Sequence, residues 1–116
     1  MREIKMARTV WANMELAKLS PGNDIKRIME VLNSDDFTVQ MNATVKIILI
    51  LNEAFVRKEK ANDPEAEKYL VTEDELFNAT EDELGEALNF ALETFKKDGE
   101  QTVIAEPKKS KKKATK

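Results

Sequence analysis

Apolar residues recur along this chain at helical spacing, and the breaks between the periodic stretches fall on residues that stop helices. The first stretch predicts a helix over roughly Met6 to Leu19, on which Val10, Met14 and Ala17 follow an i, i+4, i+7 rule with Trp11 beside them. Ser20-Pro21-Gly22-Asn23 ends it, since proline and glycine interrupt the helical hydrogen-bond ladder. Asn23 or Asp24 then caps a second helix that ends near Leu32 and turns Ile25, Ile28, Met29 and Leu32 to one side. Asn33-Ser34-Asp35-Asp36 supplies a turn and a cap, with acids where a helix N-terminus favours them.

The third predicted helix is the longest, about Asp36 to Lys60, on the order of 37 Å at 1.5 Å per residue. Phe37, Met41, Val45, Ile48 and Phe55 share one face, and Ala43, Ile47 and Ile50 add a second. Between Ile47 and Leu51 the helix is apolar nearly all round, the mark of a helix enclosed on several sides. The β-branched residues there also suit a buried strand; the length of the segment and its periodic flanks select helix. A small domain has little core with which to surround a helix. Either the other helices wrap it closely, or part of it meets another chain.

A polar connector follows from Lys58 to Pro64, with Pro64 placed for the first turn of a short helix capped by Asp63. Two capping boxes come next. Thr72-Glu73-Asp74-Glu75 precedes Leu76 and Phe77, and Thr80-Glu81-Asp82-Glu83 precedes Leu84, Leu88, Leu92 and Phe95. They predict a short helix and then a longer one ending near Lys97, with Lys96 and Lys97 suited to its C-terminus and Gly99 as the residue just past it. From Glu100 on no periodic pattern is visible. The expectation is an all-α fold: a compact domain of about five helices over residues 1–99, and a flexible, disordered Lys-rich tail over 100–116.

Composition narrows the chemistry. The 116 residues include neither cysteine nor histidine, which excludes zinc fingers, Cys-His nucleophiles, Ser-His-Asp triads and His-based metal hydrolases. The three glycines are isolated, so no phosphate-cradling loop is present, and there is no nucleophile elbow. The acids at 73–75 and 81–83 lack the ligand spacing of a calcium loop and sit where the helix dipole favours them. The chain is therefore read as non-enzymatic, with no catalytic residue, metal ligand or cofactor. No apolar run follows the charged start, and the longest such run is five residues, Ile47 to Leu51, against the roughly 20 that span a bilayer. A cytoplasmic protein without a membrane partner is expected.

The net charge of −3 hides a division: residues 1–62 carry +2, residues 63–100 carry −10 and residues 101–116 carry +5. Such runs are often no more than solvated faces, but asymmetry of this kind also marks interaction segments. Six lysines between Lys108 and Lys116 could meet phosphates. No aromatic residue or arginine accompanies them, and the second helix, after a turn resembling that of a helix-turn-helix, offers only Lys26 and Arg27, so nucleic acid is a disfavoured partner. Partner binding or self-association is assigned to Trp11, Ile47, Ile50 and Phe77, with a homo-oligomer among the expected states.

The order of these features resembles the tail assembly chaperones of long-tailed bacteriophages of Gram-positive bacteria. The resemblance lies in a short helix with an apolar patch, a polar turn, and a long helix ending in Ile48-Leu49-Ile50-Leu51-Asn52-Glu53-Ala54-Phe55. An acidic stretch, Tyr69 to Leu76, a final helix from Glu83 to Phe95 and a charged end at Glu106-Pro107-Lys108 complete it. Many members have an extended segment before the first helix, for which the N-terminus here is short. The resemblance implies a small cytoplasmic protein, absent from the mature virion, that binds the tape measure protein, keeps it soluble and recruits tail tube protein. It also implies that Lys111-Lys112-Lys113 is compatible with a slippery codon run of the kind that extends many members by frameshifting. An unrelated acidic helical adaptor or regulatory module is the alternative.

Overall fold

A strand, not a helix, comes first. The computed structural model describes residues 2–97 and 100–104. In chain order they form strand β1 (Glu3–Ala7), helices α1 (Val10–Leu19), α2 (Ile28–Leu32), α3 (Phe37–Glu59), α4 (Glu73–Phe77) and α5 (Glu81–Lys97), and strand β2 (Glu100–Ile104). Single 3₁₀ turns at Pro21–Asn23, Ile25–Arg27 and Ala66–Tyr69 link them. The fold is all-α in class, with five helices, and a two-stranded ribbon is added to it.

The expected first helix is shorter than the sequence reading had it. Met6 and Ala7 belong to β1, where Ile4 and Met6 point into the core while Glu3 and Lys5 point away. Thr9 then caps α1, its hydroxyl accepting from the Ala12 N–H at 3.1 Å. The helix also turns a different side inward. Val10 and Met14 are 76% and 59% exposed, while Ala12 and Leu16 are buried with Leu19 packed beside them. The stripe 12-16-19 has the same spacing as 10-14-17, and the small Ala12 lets α1 approach its neighbours closely. At the end of α1 the Ser20 hydroxyl donates to Leu16 O at 2.9 Å, and Gly22 and Asn23 take left-handed φ values of 66° and 58° to reverse the chain.

α2 is a single turn. Asp24 caps the 3₁₀ turn before it, accepting from the Lys26 N–H at 3.1 Å, and Ile28 and Leu32 are buried while Met29 is exposed. α3 starts and stops within a residue of expectation. Asp36 accepts from the Thr38 and Val39 N–H groups at 2.9 and 3.2 Å. β1, α1, α2, α4 and α5 all pack on α3, so Val45, Ile48 and Leu51 reach zero exposure and Ile47 falls to 3%. Each such side chain contributes about 1.5–3 kcal/mol by leaving water. Ile47, Ile48 and Leu51 of the apolar run are thus buried within the chain, while Leu49 and Ile50 are half-buried. α3 is long and apolar enough to cross a bilayer, but more than half of that stretch is buried in this fold.

Among the described residues, Asn52 is the one fully buried amide in the middle of this packing. Its Nδ2 donates to Lys5 O at 2.9 Å and to Tyr69 O at 3.0 Å, and its Oδ1 accepts from the Val71 N–H at 2.9 Å. One side chain on α3 therefore ties down β1, the 3₁₀ turn at Ala66–Tyr69 and the strand-like approach to α4. The turn replaces the short helix expected after Pro64; Asp63 caps locally, accepting from the Glu65 N–H at 2.9 Å. Both capping boxes form. Thr72 and Glu75 bond each other's backbone N–H at 3.1 and 2.9 Å, and Thr80 and Glu83 do so at 3.1 and 3.0 Å.

The segment from Glu100, expected to lack regular structure, forms β2 and pairs antiparallel with β1, from Glu3 opposite Ile104 to Ala7 opposite Glu100. β1 has a row of backbone donors and acceptors that need partners, and Thr102-Val103-Ile104 is β-branched, as strands prefer. A two-stranded ribbon is marginal alone; this one rests on α3 through Ile4 and Met6. The Gly99 cap and the Lys-rich segment from residue 105 lie outside the described residues.

Candidate partner-binding groove

The N-terminal ends of α3 and α5 and the C-terminal end of α4 converge on one apolar depression. Asp36, Thr72 and Thr80 fix where each helix begins, and so fix which residues overhang the core. Phe37, the first residue of α3, is 56% exposed; Phe77, the last of α4, is 49% exposed. Met41 lies one turn along α3 from Phe37, and Leu76, Ala79 and Leu84 complete the floor and far wall. The enclosed volume is about 230 Å³. That is less than a drug-sized ligand occupies, but it accommodates one or two large side chains from a partner.

The rim is acidic. Glu81 lines the groove itself. Glu73 and Asp74 stand four and three residues before Phe77 and so share its side of α4. Among the described residues, none of Glu73, Asp74, Glu81 and Asp82 has an ion-pair partner. Glu75, between them, is engaged. The Thr72 N–H, and after it Arg2, hold its carboxyl below the usual carboxylate range. Arg2 reaches it at 3.0 and 3.1 Å while also donating to Lys68 O at 3.0 Å and to Leu70 O. Glu83 is likewise held low, chiefly by the Thr80 N–H.

Of the four residues assigned to partner binding from sequence, the structure brings only Phe77 to this groove. Ile47 is a core residue, 3% exposed in the packing that β1, α1, α2, α4 and α5 build around α3. Ile50 is half-buried beside Leu19 and Leu49 in a shallow hollow edged by Glu15, Lys18 and Lys46. Trp11 is half-buried under the Arg57 guanidinium, 4.1 Å from the ring centroid, and Arg57 in turn pairs with Glu53 at 3.0 Å. The sequence pattern puts Phe37 and Met41 on the same face of α3 as Val45 and Ile48. The signal that sets Phe37 apart is position: as the residue directly after the N-cap it projects past the end of the packed stretch.

Among the described residues, no group of acids is arranged to hold a metal ion. No family model, curated protein or solved structure matches the chain.

Proposed function

We propose that this protein is a non-enzymatic tail assembly chaperone of a long-tailed bacteriophage. It works in the host cytoplasm, binding the helical tape measure protein, keeping it soluble and recruiting tail tube subunits. The observation that carries the reading is the open groove with two half-exposed phenylalanines, Phe37 and Phe77. A chaperone for a long apolar client needs such anchoring positions on a charged, soluble surface, and helix-in-groove binding uses them at i, i+3 and i+4 spacing. The test is co-expression with a tape measure protein. Soluble, co-purifying client is the expected result; client that aggregates equally with and without this protein refutes the reading.

A further inference from the structure

We infer that the groove between Phe37 and Phe77 receives a cationic amphipathic helix, whose apolar stripe enters the groove and whose lysines or arginines meet Glu73, Asp74 and Glu81. This rests on the chaperone reading and specifies its client. The apolar part follows from geometry: Phe37 and Met41 are one turn apart on α3, and Phe77 and Leu84 face them from α4 and α5. A helix laid across them meets two ridges and a floor, the arrangement that i, i+4 anchors fit.

The charge argument selects among occupants. Three carboxylates, Glu81 in the lining and Glu73 and Asp74 on the Phe77 side of α4, lack a cationic partner among the described residues, and the lining itself contains no lysine or arginine. An anionic helix placed here would bring like charges together in a partly desolvated site, which costs affinity. A second copy docking groove to groove would set Glu73 and Glu81 of each chain against those of the other, because a two-fold interface pairs a patch with itself. The chain's own residues 105–116 supply six lysines but no large apolar side chain. They can neutralise the rim and cannot fill the groove.

The probe is a fluorescein-labelled helical peptide of about 18 residues with leucine at i, i+4 and i+7 positions and lysine flanking them, titrated with the full chain and followed by anisotropy. One counterpart carries glutamate for lysine, a second serine for leucine. The lysine–leucine peptide is expected to bind about tenfold or more tightly than either counterpart, and Phe77→Ala or Phe37→Ala to weaken it about tenfold. Glu73→Gln combined with Glu81→Gln should weaken it several-fold and flatten its salt dependence. Glu65→Gln with Glu67→Gln, neither of which lines the groove, should leave it unchanged. Far-UV circular dichroism and Trp11 emission confirm that each variant is folded. Equal binding of the lysine and glutamate peptides, or no effect of either phenylalanine substitution, overturns the proposal. So does a tenfold gain on changing Lys111, Lys112 and Lys113 to glutamine, which would assign the rim to the chain's own tail. Client that remains soluble with the Phe77→Ala chain would sink this inference and leave the chaperone reading standing. Peptide binding without client rescue would do the reverse.

Discussion

Asn52→Ala removes three hydrogen bonds with one side chain and leaves their partners in place. The Val71 N–H is buried, and stranding such a group costs about 1–3 kcal/mol. The Lys5 and Tyr69 carbonyls are partly buried, so each falls near the lower end of that range. The expected loss is about 3–5 kcal/mol, a large part of the roughly 5–15 kcal/mol that holds a domain folded. Urea unfolding followed by Trp11 emission and by far-UV circular dichroism measures it. With a slope of about 1–2 kcal/mol per molar urea, the midpoint should drop by about 2 M or more. Asn52→Asp separates the amide from its volume. It keeps an acceptor for Val71 but aims a carboxylate at two carbonyl oxygens, so at pH 7 it should be at least as destabilising as alanine. Those oxygens raise the folded-state pKa of the new carboxyl above its unfolded value of about 3.9. A group shifted that way stabilises most when protonated, so the deficit should shrink as the pH is lowered toward about 4. A loss below about 1 kcal/mol for Asn52→Ala, at unchanged slope, would refute the idea that this amide holds β1 and the approach to α4 onto α3.

Gly85 lies inside α5, and a Cβ placed there meets nothing within 4 Å, so Gly85→Ala should stabilise by about 0.5–1 kcal/mol in the same unfolding assay. Asp36→Ala strips the N-cap of α3 and should cost about 1 kcal/mol, whereas Asp36→Ser should recover most of it. Glu75 has a depressed folded-state pKa, so its contribution is present above the ordinary value of 4.5 and is lost as the pH falls through the folded value. Glu75→Gln should therefore make stability fall less steeply on acidification below that point, as read from melting temperatures across a pH series.

Much of the helical framework was legible because its signals are local. The boxes at Thr72 and Thr80 each lie within four residues, and Asp36 is adjacent to the helix it caps. The length of α3 follows from an unbroken period. The ribbon was hidden for the opposite reason. β1 shows only one polar–apolar alternation, Glu3-Ile4-Lys5-Met6, and its partner lies at the far end of the described chain. The inward side of α1 was misassigned because two stripes share one spacing, and only the surface presented by α3 chooses between them. For the groove, the sequence points to Phe77, but it leaves Phe37 and Met41 on one face with Val45 and Ile48 and does not set them apart. Periodicity tells which residues share a face and not where along a helix the covering neighbours stop.

The pairing of Glu3 with Ile104 has a consequence during synthesis. Roughly a hundred residues must leave the ribosome before β1 meets β2, an interval of about 5–20 s at ordinary elongation rates. α1 and α2 can dock on α3 well before then, because they are its near neighbours in sequence. Through that interval β1 is a bare strand edge on a half-built body, and the β2 of an older chain on the same message can reach it first. Exchange of ribbons between nascent copies is the misassembly this topology favours, and it should become more frequent as translation of the last residues slows.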